Sequence, residues 1–281
     1  MIETYIEDML VKLGEQYVRM SVRVFNPRDS HATAFCIHGF EQNGAYFTPL
    51  AALLARKGIR VVAPDFPGRG RSAWLDDPSM YNLGTYGACL AHIARYRGRE
   101  NYMIGTSWGA AVGLATLAST GGYVDKIVLN DMVMRSGPAL DDSQDFLRKD
   151  AGVSFTSFEE AAAYVRRSRA YLGRIPEEIW SAYLAEKIGE RNGRFVLTWD
   201  PELMHSVKHQ APFDLAPLVS ALQIPTLLLY GKNSAHRDPA YNEHLRATRP
   251  HIVIAEDIDA GHPPSLMTRE QGLLVLGFLL S

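Results

Sequence analysis

Residues 102–119, YMIGTSWGAAVGLATLAS, are the stretch that decides how this chain folds. The apolar run Tyr102–Gly105 predicts a strand that stops at a glycine, and the alanine-rich run Trp108–Ser119 predicts a helix directly behind it. The junction reads Gly-Thr-Ser-Trp-Gly, so Ser107 is flanked on both sides by the small residues that a tight strand-to-helix turn requires. The pattern therefore predicts that Ser107 Oγ stands at a helix N-terminus, where free backbone N–H groups favour developing negative charge.

The same alternation of strands and helices extends along most of the chain. Short apolar runs predict strands at Ala34–Ile37, Ile59–Ala63, Ile127–Asn130, Thr226–Tyr230 and His251–Ala255. Apolar residues at helical spacing predict helices at Phe47–Lys57, Thr85–Arg97, Pro239–Thr248 and Arg269–Leu280. This alternation predicts an α/β fold, with a mostly parallel sheet and helices on both faces. The segment Glu15–Phe25 predicts one or two further strands at an antiparallel edge.

The segment Arg135–Pro225 interrupts this rhythm. Its periodicity predicts helices at Ser157–Tyr171 and Pro176–Ile188, and we expect no sheet strand within it. We therefore expect a core formed by residues 1–134 and 226–281, and a helical cap formed by residues 135–225. Ligands bind at the carboxyl ends of the strands in open α/β sheets, so an insertion there favours a lid over a substrate pocket.

Three residues of the expected cap are candidates for lining that pocket: Trp199, Tyr171 and His209. Packing inside the core or the cap explains the two aromatic residues equally well. His209 follows His205 by four residues, a spacing that zinc ligands use on one helix face. No third ligand is evident, so a position near the substrate is the favoured interpretation and we expect no metal site.

Composition excludes several other classes of protein. The 281 residues include 29 Lys and Arg against 31 Asp and Glu, so the formal charge of −2 gives no general attraction to nucleic acid or to an anionic membrane. The longest apolar runs, Trp108–Ala118 and Leu273–Leu280, fall short of the ~20 residues that span a bilayer. The acidic N-terminus does not resemble a secretory signal, and Cys36 and Cys89 are too few for a disulfide framework. These features favour a cytoplasmic location.

Two further motifs follow predicted strands and carry candidate chemistry. His38-Gly39-Phe40 comes after the strand Ala34–Ile37. Acyl transfer needs two hydrogen-bond donors for the oxyanion, and the backbone N–H groups of Phe40 and Trp108 are suitably placed. His38 comes too early in the chain to be the general base, so we expect it to brace the loop. His262, after the last strand and before the last helix, is the candidate base.

Four segments together resemble the α/β-hydrolase fold superfamily, particularly its esterase-like members, over nearly the full length of the chain. They are residues 38–74, residues 105–113 (GTSWGAAVG), residues 127–132 (IVLNDM) and residues 260–267 (AGHPPSLM). The resemblance implies an eight-stranded, mostly parallel sheet with a helical cap. It also implies that Ser107 is the nucleophile, His262 the base, and Phe40 and Trp108 the oxyanion donors.

An esterase-like member of this superfamily is expected to cleave an ester, thioester or lactone through an acyl-enzyme, without cofactor or metal. Its partner would be a small-molecule acyl substrate, and we leave a homodimer open. A C–C bond hydrolase or a lyase acting through Ser107 and His262 is an alternative on the same fold. A catalytically impaired, ligand-binding member is another. The glycine-rich turn Pro67–Ser72 lacks the ending of a phosphate-binding loop, so we interpret it as structural.

The acid of the expected triad is where the chain departs from the family pattern. In relatives with a Gly-x-x-Ser-Asp pattern after the strand Thr226–Tyr230, the acid would fall on Ala235. Asp131, which follows an earlier strand where some members keep their acid, is the preferred candidate. Asp238 is the alternative, although an N-cap before a proline explains it equally well. The third hypothesis is that this chain has no functional acid, which includes the case in which alanine has replaced aspartate at position 235.

Overall fold

The computed structural model describes residues 2–120, 124–257 and 260–281. Strands β1 to β11 are, in chain order, Ile2–Leu13, Gln16–Pro27, Ala32–Ile37, Ile59–Pro64, Glu100–Thr106, Lys126–Asn130, Ser154–Phe155, Ile188–Arg191, Arg194–Leu197, Thr226–Gly231 and Ile252–Asp257. Helices α1 to α10 are, in chain order, Thr48–Ala55, Leu83–Ile93, Trp108–Thr120, Pro138–Asp150, Phe158–Ser168, Glu177–Lys187, Met204–Lys208, Ala216–Ala221, Pro239–Thr248 and Arg269–Leu280. None of the described helices is long and apolar enough to cross a membrane.

Eight of the strands form one sheet in the order β1-β2-β4-β3-β5-β6-β10-β11. β2 pairs antiparallel with both β1 and β4, and the remaining neighbours pair parallel. Every residue of β3 and β10 is buried, as expected for parallel strands that are covered on both faces. The predicted α/β class, with a mostly parallel eight-stranded sheet, is confirmed.

Helices cover both faces of this sheet. The order in which strands are added reverses at β3, because β4 lies on one side of β3 and β5 lies on the other. Right-handed crossovers therefore place α1 on one face and α2 and α3 on the opposite face. α10 packs against α1, whereas α2 and α8 pack against α3. The reversal of strand order also leaves a crevice at the carboxyl ends of β3 and β5, where the loops of the candidate site lie.

The antiparallel edge is longer than the sequence predicts. The expected one or two strands within Glu15–Phe25 are a hairpin that begins at Ile2, and Gly14 turns it with a φ of 60°. β1 is an edge strand whose first residues alternate between exposed and half-buried positions. Its outward face carries Asp8 and Lys12 beside exposed Ile6 and Leu10, so it does not have the continuous buried apolar run of the central strands.

The inserted segment between β6 and β10 contains strands as well as helices, so the expectation that it holds none was wrong. β7, β9 and β8 form a separate three-stranded sheet. β8 and β9 are a hairpin around Asn192 and Gly193, which both have positive φ as a two-residue turn requires. α4 also went unpredicted, because its sequence is mostly polar.

The inserted segment meets the core at the carboxyl ends of the parallel strands. Asn43, in the loop after β3, donates a hydrogen bond to the Glu186 carbonyl. Arg69, in the turn after β4, pairs through its backbone with Trp199. The boundaries of the cap at residues 135 and 225 stay a prediction, and α8, which lies inside them, packs beside the core helix α3.

Candidate active site

Ser107 occupies the turn between β5 and α3 in a left-handed backbone conformation, with a φ of 51°. A residue with a side chain adopts this conformation at an energetic cost, and such strain is concentrated at functional sites. The flanking glycines are required by space. A Cβ on Gly105 would overlap the backbone of Ala110, and a Cβ on Gly109 would overlap the carbonyl oxygen of His38. The turn thus projects the Ser107 side chain immediately before the first residue of α3.

Two side chains line up behind this serine. Ser107 Oγ lies 2.9 Å from His262 Nε2, and His262 Nδ1 lies 3.3 Å from Asp131 Oδ1. Asp131 is fully buried at the end of β6 and has a φ of 50°. Its Oδ1 accepts a hydrogen bond of 2.8 Å from Ser234 Oγ, and its Oδ2 accepts one of 3.2 Å from Gly231 N. These two bonds hold the carboxylate facing His262.

The His262–Asp131 contact is longer than an ideal hydrogen bond. His262 Nδ1 is buried, and its 3.3 Å contact with Asp131 does not have hydrogen-bond geometry, so this nitrogen has no hydrogen-bond partner among the described residues. Asp131 supplies the one carboxylate oxygen that the described part of the chain places within 4.0 Å of this ring. Catalytic hydrogen bonds are commonly long before the substrate binds and tighten in the complex. The arrangement therefore has the order of a nucleophile, a base and an orienting acid.

The alternative acid, Asp238, has other partners. Its Oδ1 accepts a hydrogen bond from Tyr241 N at 2.9 Å and so caps α9, while its Oδ2 accepts one from Arg135 Nη1 at 2.8 Å. Ala235 is exposed on the wall of a cavity beside His262. The structure therefore brings Asp131 to the histidine, holds Asp238 in a helix cap and an ion pair, and leaves a methyl group at the usual acid position.

His38 braces the loop that carries Phe40. The ring is completely buried, its Nε2 accepts a hydrogen bond from Phe66 N at 3.1 Å, and its Nδ1 donates one to the Gly39 carbonyl at 2.7 Å. Burial, reinforced by the positive charge of Arg69, lowers the pKa of His38 to about 3. The imidazole is therefore neutral at physiological pH and holds the loop in place.

A buried arginine connects the two expected oxyanion donors. Arg69 is completely buried, and its Nε donates a hydrogen bond of 2.8 Å to the carbonyl of Phe40. Its guanidinium carbon lies 5.2 Å from the centroid of the Phe40 ring and 4.7 Å from that of Trp108. The two rings themselves meet edge to face at 5.8 Å. The sequence marks the turn 67–72 as structural only, and no local signal distinguishes this arginine.

A second buried cation holds the next carbonyl of the same loop. Lys187, at the end of α6, donates a hydrogen bond to the Glu41 carbonyl and pairs with the Glu41 carboxylate. Arg169 lies 3.4 Å from that carboxylate and also pairs with buried Asp150. Burial lowers the pKa of Lys187 well below its usual value, whereas the adjacent Glu41 carboxylate favours the charged form of the amine. The network joins the expected oxyanion loop to the inserted segment.

Two cavities meet at Ser107 and His262. The smaller, of 560 Å³, is walled by the oxyanion loop, the histidine loop and one flank of α4. The larger, of 790 Å³, extends along α3 to residues 205–215. Tyr171 lines the smaller cavity and His209 lines the larger one. Among the described residues, no group of three or more His, Cys, Asp and Glu side chains is arranged to hold a metal ion.

The expectation that Trp199 lines the pocket was wrong for both of these cavities as the described residues form them. The indole is 2% exposed and packs edge to face against Phe40, with the ring centroids 6.4 Å apart. The backbone pairing of Trp199 with Arg69 places it between the inserted segment and the core. It therefore supports Phe40 from behind and does not reach the cavity surface.

His236 is a residue of this site that the sequence did not reveal. Its ring centroid lies 4.1 Å from that of His262, and its Nε2 lies 3.1 Å from Ser143 Oγ on α4. Burial, together with the nearby His262, lowers the pKa of His236 to about 4. A neutral imidazole thus forms part of the smaller cavity wall. It follows Ala235 in a polar loop, where a histidine has no distinctive pattern.

The alpha/beta hydrolase family matches residues 34–273, and the chain belongs to this family. It is 29% identical over 259 residues to a 3-hydroxybutyrate-oligomer hydrolase of Cupriavidus necator, covering 88% of this chain and 86% of that protein. Among solved structures, it superposes on a putative hydrolase from Rickettsia typhi with a TM-score of 0.87 at 22% identity, covering 98% and 99% of the two chains. An alpha/beta hydrolase from Novosphingobium aromaticivorans gives 0.85 at 23%, covering 100% and 99%. The family and the relative named above support a hydrolase.

Proposed function

We propose that the protein is a serine hydrolase that cleaves a carboxylic ester, thioester or lactone through an acyl-enzyme on Ser107. The observation that carries the proposal is the chain of contacts from Ser107 Oγ to His262 Nε2 at 2.9 Å and from His262 Nδ1 to Asp131 at 3.3 Å. The strained turn at the start of α3 supports it, because it offers the serine hydroxyl at a helix N-terminus.

In the first half-reaction, Ser107 Oγ attacks the substrate carbonyl carbon while His262 Nε2 takes the hydroxyl proton. Asp131 stabilises the imidazolium and keeps Nδ1 protonated in the resting enzyme. The backbone N–H groups of Phe40 and Trp108 stabilise the oxyanion of the tetrahedral intermediate. The intermediate collapses, the carbonyl–leaving group bond breaks, and His262 returns the proton to the leaving oxygen or sulfur.

The second half-reaction repeats these steps with water as the nucleophile. His262 takes one proton from water as the oxygen attacks the acyl carbonyl, and it then protonates Ser107 Oγ as the acid product leaves. Each proton that His262 removes is returned in the same half-reaction, so the enzyme ends unchanged. The buried contacts of Arg69 and Lys187 to the loop carbonyls support a fixed oxyanion geometry through both halves.

Among the three substrate classes, an oxygen ester is favoured. The Cupriavidus necator relative is named for the hydrolysis of 3-hydroxybutyrate oligomers, in which oxygen esters join the units. A catalytically impaired binding protein is disfavoured by the contacts that join Ser107, His262 and Asp131. A C–C bond hydrolase or a lyase would use the same Ser107 and His262, and substrate screening separates these reactions.

The test combines covalent labelling with turnover. A fluorophosphonate probe should label the wild type, and Ser107→Ala should abolish both the label and the hydrolysis of p-nitrophenyl esters of graded chain length. The matched control is Ser119→Ala, an exposed serine on the same helix α3, which should keep both. Label that persists in Ser107→Ala would refute the assignment of the nucleophile.

Two further expectations rest on the sequence alone and stay proposals: a homodimer and a cytoplasmic location. Light scattering of the purified full chain decides the first, and fractionation of the source cells decides the second.

A further inference from the structure

Helix α4 lies across the boundary between the two cavities. Residues three or four positions apart on a helix lie on the same face, so each pair at i and i+4 identifies one side of the helix. Three such pairs face the site, and they follow one another around the helix. Asp142 and Phe146 line the smaller cavity, and Leu140 and Gln144 line the larger cavity. Between these two pairs, Ser143 and Leu147 line both cavities. The middle pair therefore lies over the meeting point of the cavities.

The residues shared by the two cavities are the ones at the reaction centre. Besides the middle pair of α4, both cavities are lined by Phe40, Ser107 and His262. Ser143 Oγ also bonds His236, which packs against His262. α4 therefore forms a roof over the serine and is tied to the histidine loop.

Beyond this shared centre, the two cavities have different walls and separate openings. The smaller one is bordered by the exposed residues Ala170, Asn233 and Ala235. The larger one is bordered by exposed residues of two other segments, 79–84 and 209–211. The reaction centre thus lies in the middle of a cleft that runs beneath α4 and is open at both ends.

The linings of both arms suit a chain of mixed polarity. Each arm presents both kinds of group: the smaller has Gln42 and Asn233 beside Phe146, and the larger has Gln210 beside Val133 and Phe213. Together they match a chain in which alkyl groups alternate with ester carbonyls.

We infer that the substrate is a linear oligoester that lies beneath α4 with several units in each arm and is cut at an internal ester bond. This inference rests on the proposed ester hydrolysis. An ester of a small acid or a small alcohol would fill only one arm. A substrate with bulk on both sides of the scissile carbonyl uses both arms, and the roof of α4 orients the chain across Ser107.

The first experiment reads the position of the cut. The probe is a linear 3-hydroxybutyrate hexamer whose hydroxyl end is acetylated and whose carboxyl end is a methyl ester, and products are separated by liquid chromatography and mass spectrometry at low conversion. We expect the first products to be pairs of fragments that each contain two or more units. Release of single terminal units alone, or no cleavage of the hexamer by an enzyme that hydrolyses p-nitrophenyl acetate, would overturn the inference.

The second experiment blocks each arm separately. Ala170→Trp narrows the opening of the smaller arm and Ala211→Trp that of the larger arm, and the control is Ala240→Trp on the exposed surface of α9, which borders neither cavity. We expect each of the first two to lower the ratio of hexamer to p-nitrophenyl acetate kcat/KM at least tenfold, and the control to leave it unchanged. Ala235→Trp and Gln210→Trp border the same two arms and replace any variant that fails to fold.

The outcomes separate this inference from the proposed function. An effect from one arm only, or from neither, overturns the two-sided cleft while ester hydrolysis stands. If the folded wild type is neither labelled by the fluorophosphonate probe nor able to hydrolyse p-nitrophenyl acetate, the proposed function is overturned, and the inference with it.

Discussion

Replacing Asp131 with asparagine tests the member of the site for which the sequence left alternatives open. Asparagine has nearly the same shape. With its amide oxygen in the Oδ2 position it still accepts the hydrogen bond that Gly231 N donates at 3.2 Å, and its amide nitrogen in the Oδ1 position can donate to Ser234 Oγ, because a hydroxyl can also accept. The amide nitrogen would then face His262 Nδ1. A donor facing a protonated Nδ1 is repulsive, so the histidine is driven to the tautomer with its proton on Nε2. That tautomer cannot take the proton of Ser107.

The magnitude follows from the role of the acid. In a serine protease, the equivalent aspartate-to-asparagine change lowers kcat by about 10⁴. Each tenfold change in rate corresponds to about 1.36 kcal/mol, so the expected loss of transition-state stabilisation is about 5 kcal/mol. KM should change little, because Asp131 is fully buried behind the histidine and lines neither cavity as described.

The assay is kcat and KM on a p-nitrophenyl ester, with Asp238→Asn as the matched control. Asp238 caps α9 and pairs with Arg135, and asparagine caps a helix as well as aspartate does. The lost ion pair is partly exposed and is worth about 0.2–1 kcal/mol of stability. The control should therefore keep kcat within about twofold. Thermal melting of both variants separates a catalytic loss from unfolding.

A kcat for Asp131→Asn within tenfold of the wild type would refute the assignment, as would an equal loss in the control. The Ala235→Asp variant provides a further test. If Asp131 is the acid, the new carboxylate adds little to the wild type. If Ala235 marks a disabled site, Ala235→Asp raises kcat by orders of magnitude and Asp131→Asn mainly lowers stability.

Three other outcomes are expected. Arg69→Met should lower kcat by about 10–100-fold with little change in KM, because it removes the support of the Phe40 carbonyl but not the oxyanion donor itself. Loss of a whole oxyanion donor lowers kcat by about 10²–10³-fold. Arg69→Lys should recover part of the rate in the same ester assay. In urea unfolding, the free energy of unfolding should fall as the pH drops below about 6.5. His38 and His236 are neutral in the fold, with pKa values of about 3 and about 4, and they take up protons on unfolding. The His236→Gln variant should show a smaller fall, and a fall equal to that of the wild type would contradict this explanation. Lys187→Met should lower the free energy of unfolding by about 3–5 kcal/mol because it leaves a buried carboxylate short of a cation, whereas exposed Lys208→Met should stay within about 0.5 kcal/mol.

The sequence by itself determined the features that are encoded locally. Continuous apolar runs gave the central parallel strands, because a strand covered on both faces has no polar side. Glycine spacing around Ser107 gave the strained turn, because only small residues fit there. The positions of His262 and Phe40 followed from the loops after those strands. Chain order and turn chemistry were sufficient for these features, since each depends on a few neighbouring residues.

Only the tertiary structure decided which groups meet across the chain. Asp131 faces His262 because β6 pairs with β10, so that Gly231 and Ser234, a hundred residues away in sequence, hold its carboxylate. The roof formed by α4, and the contacts of Arg69 and His236, depend on similar long-range packing. The periodicity of a segment reports how much of it is buried, but it carries no information about which distant segment buries it. The contact between Asp131 and His262, and the meeting of the two cavities at α4, are therefore properties of the packed fold.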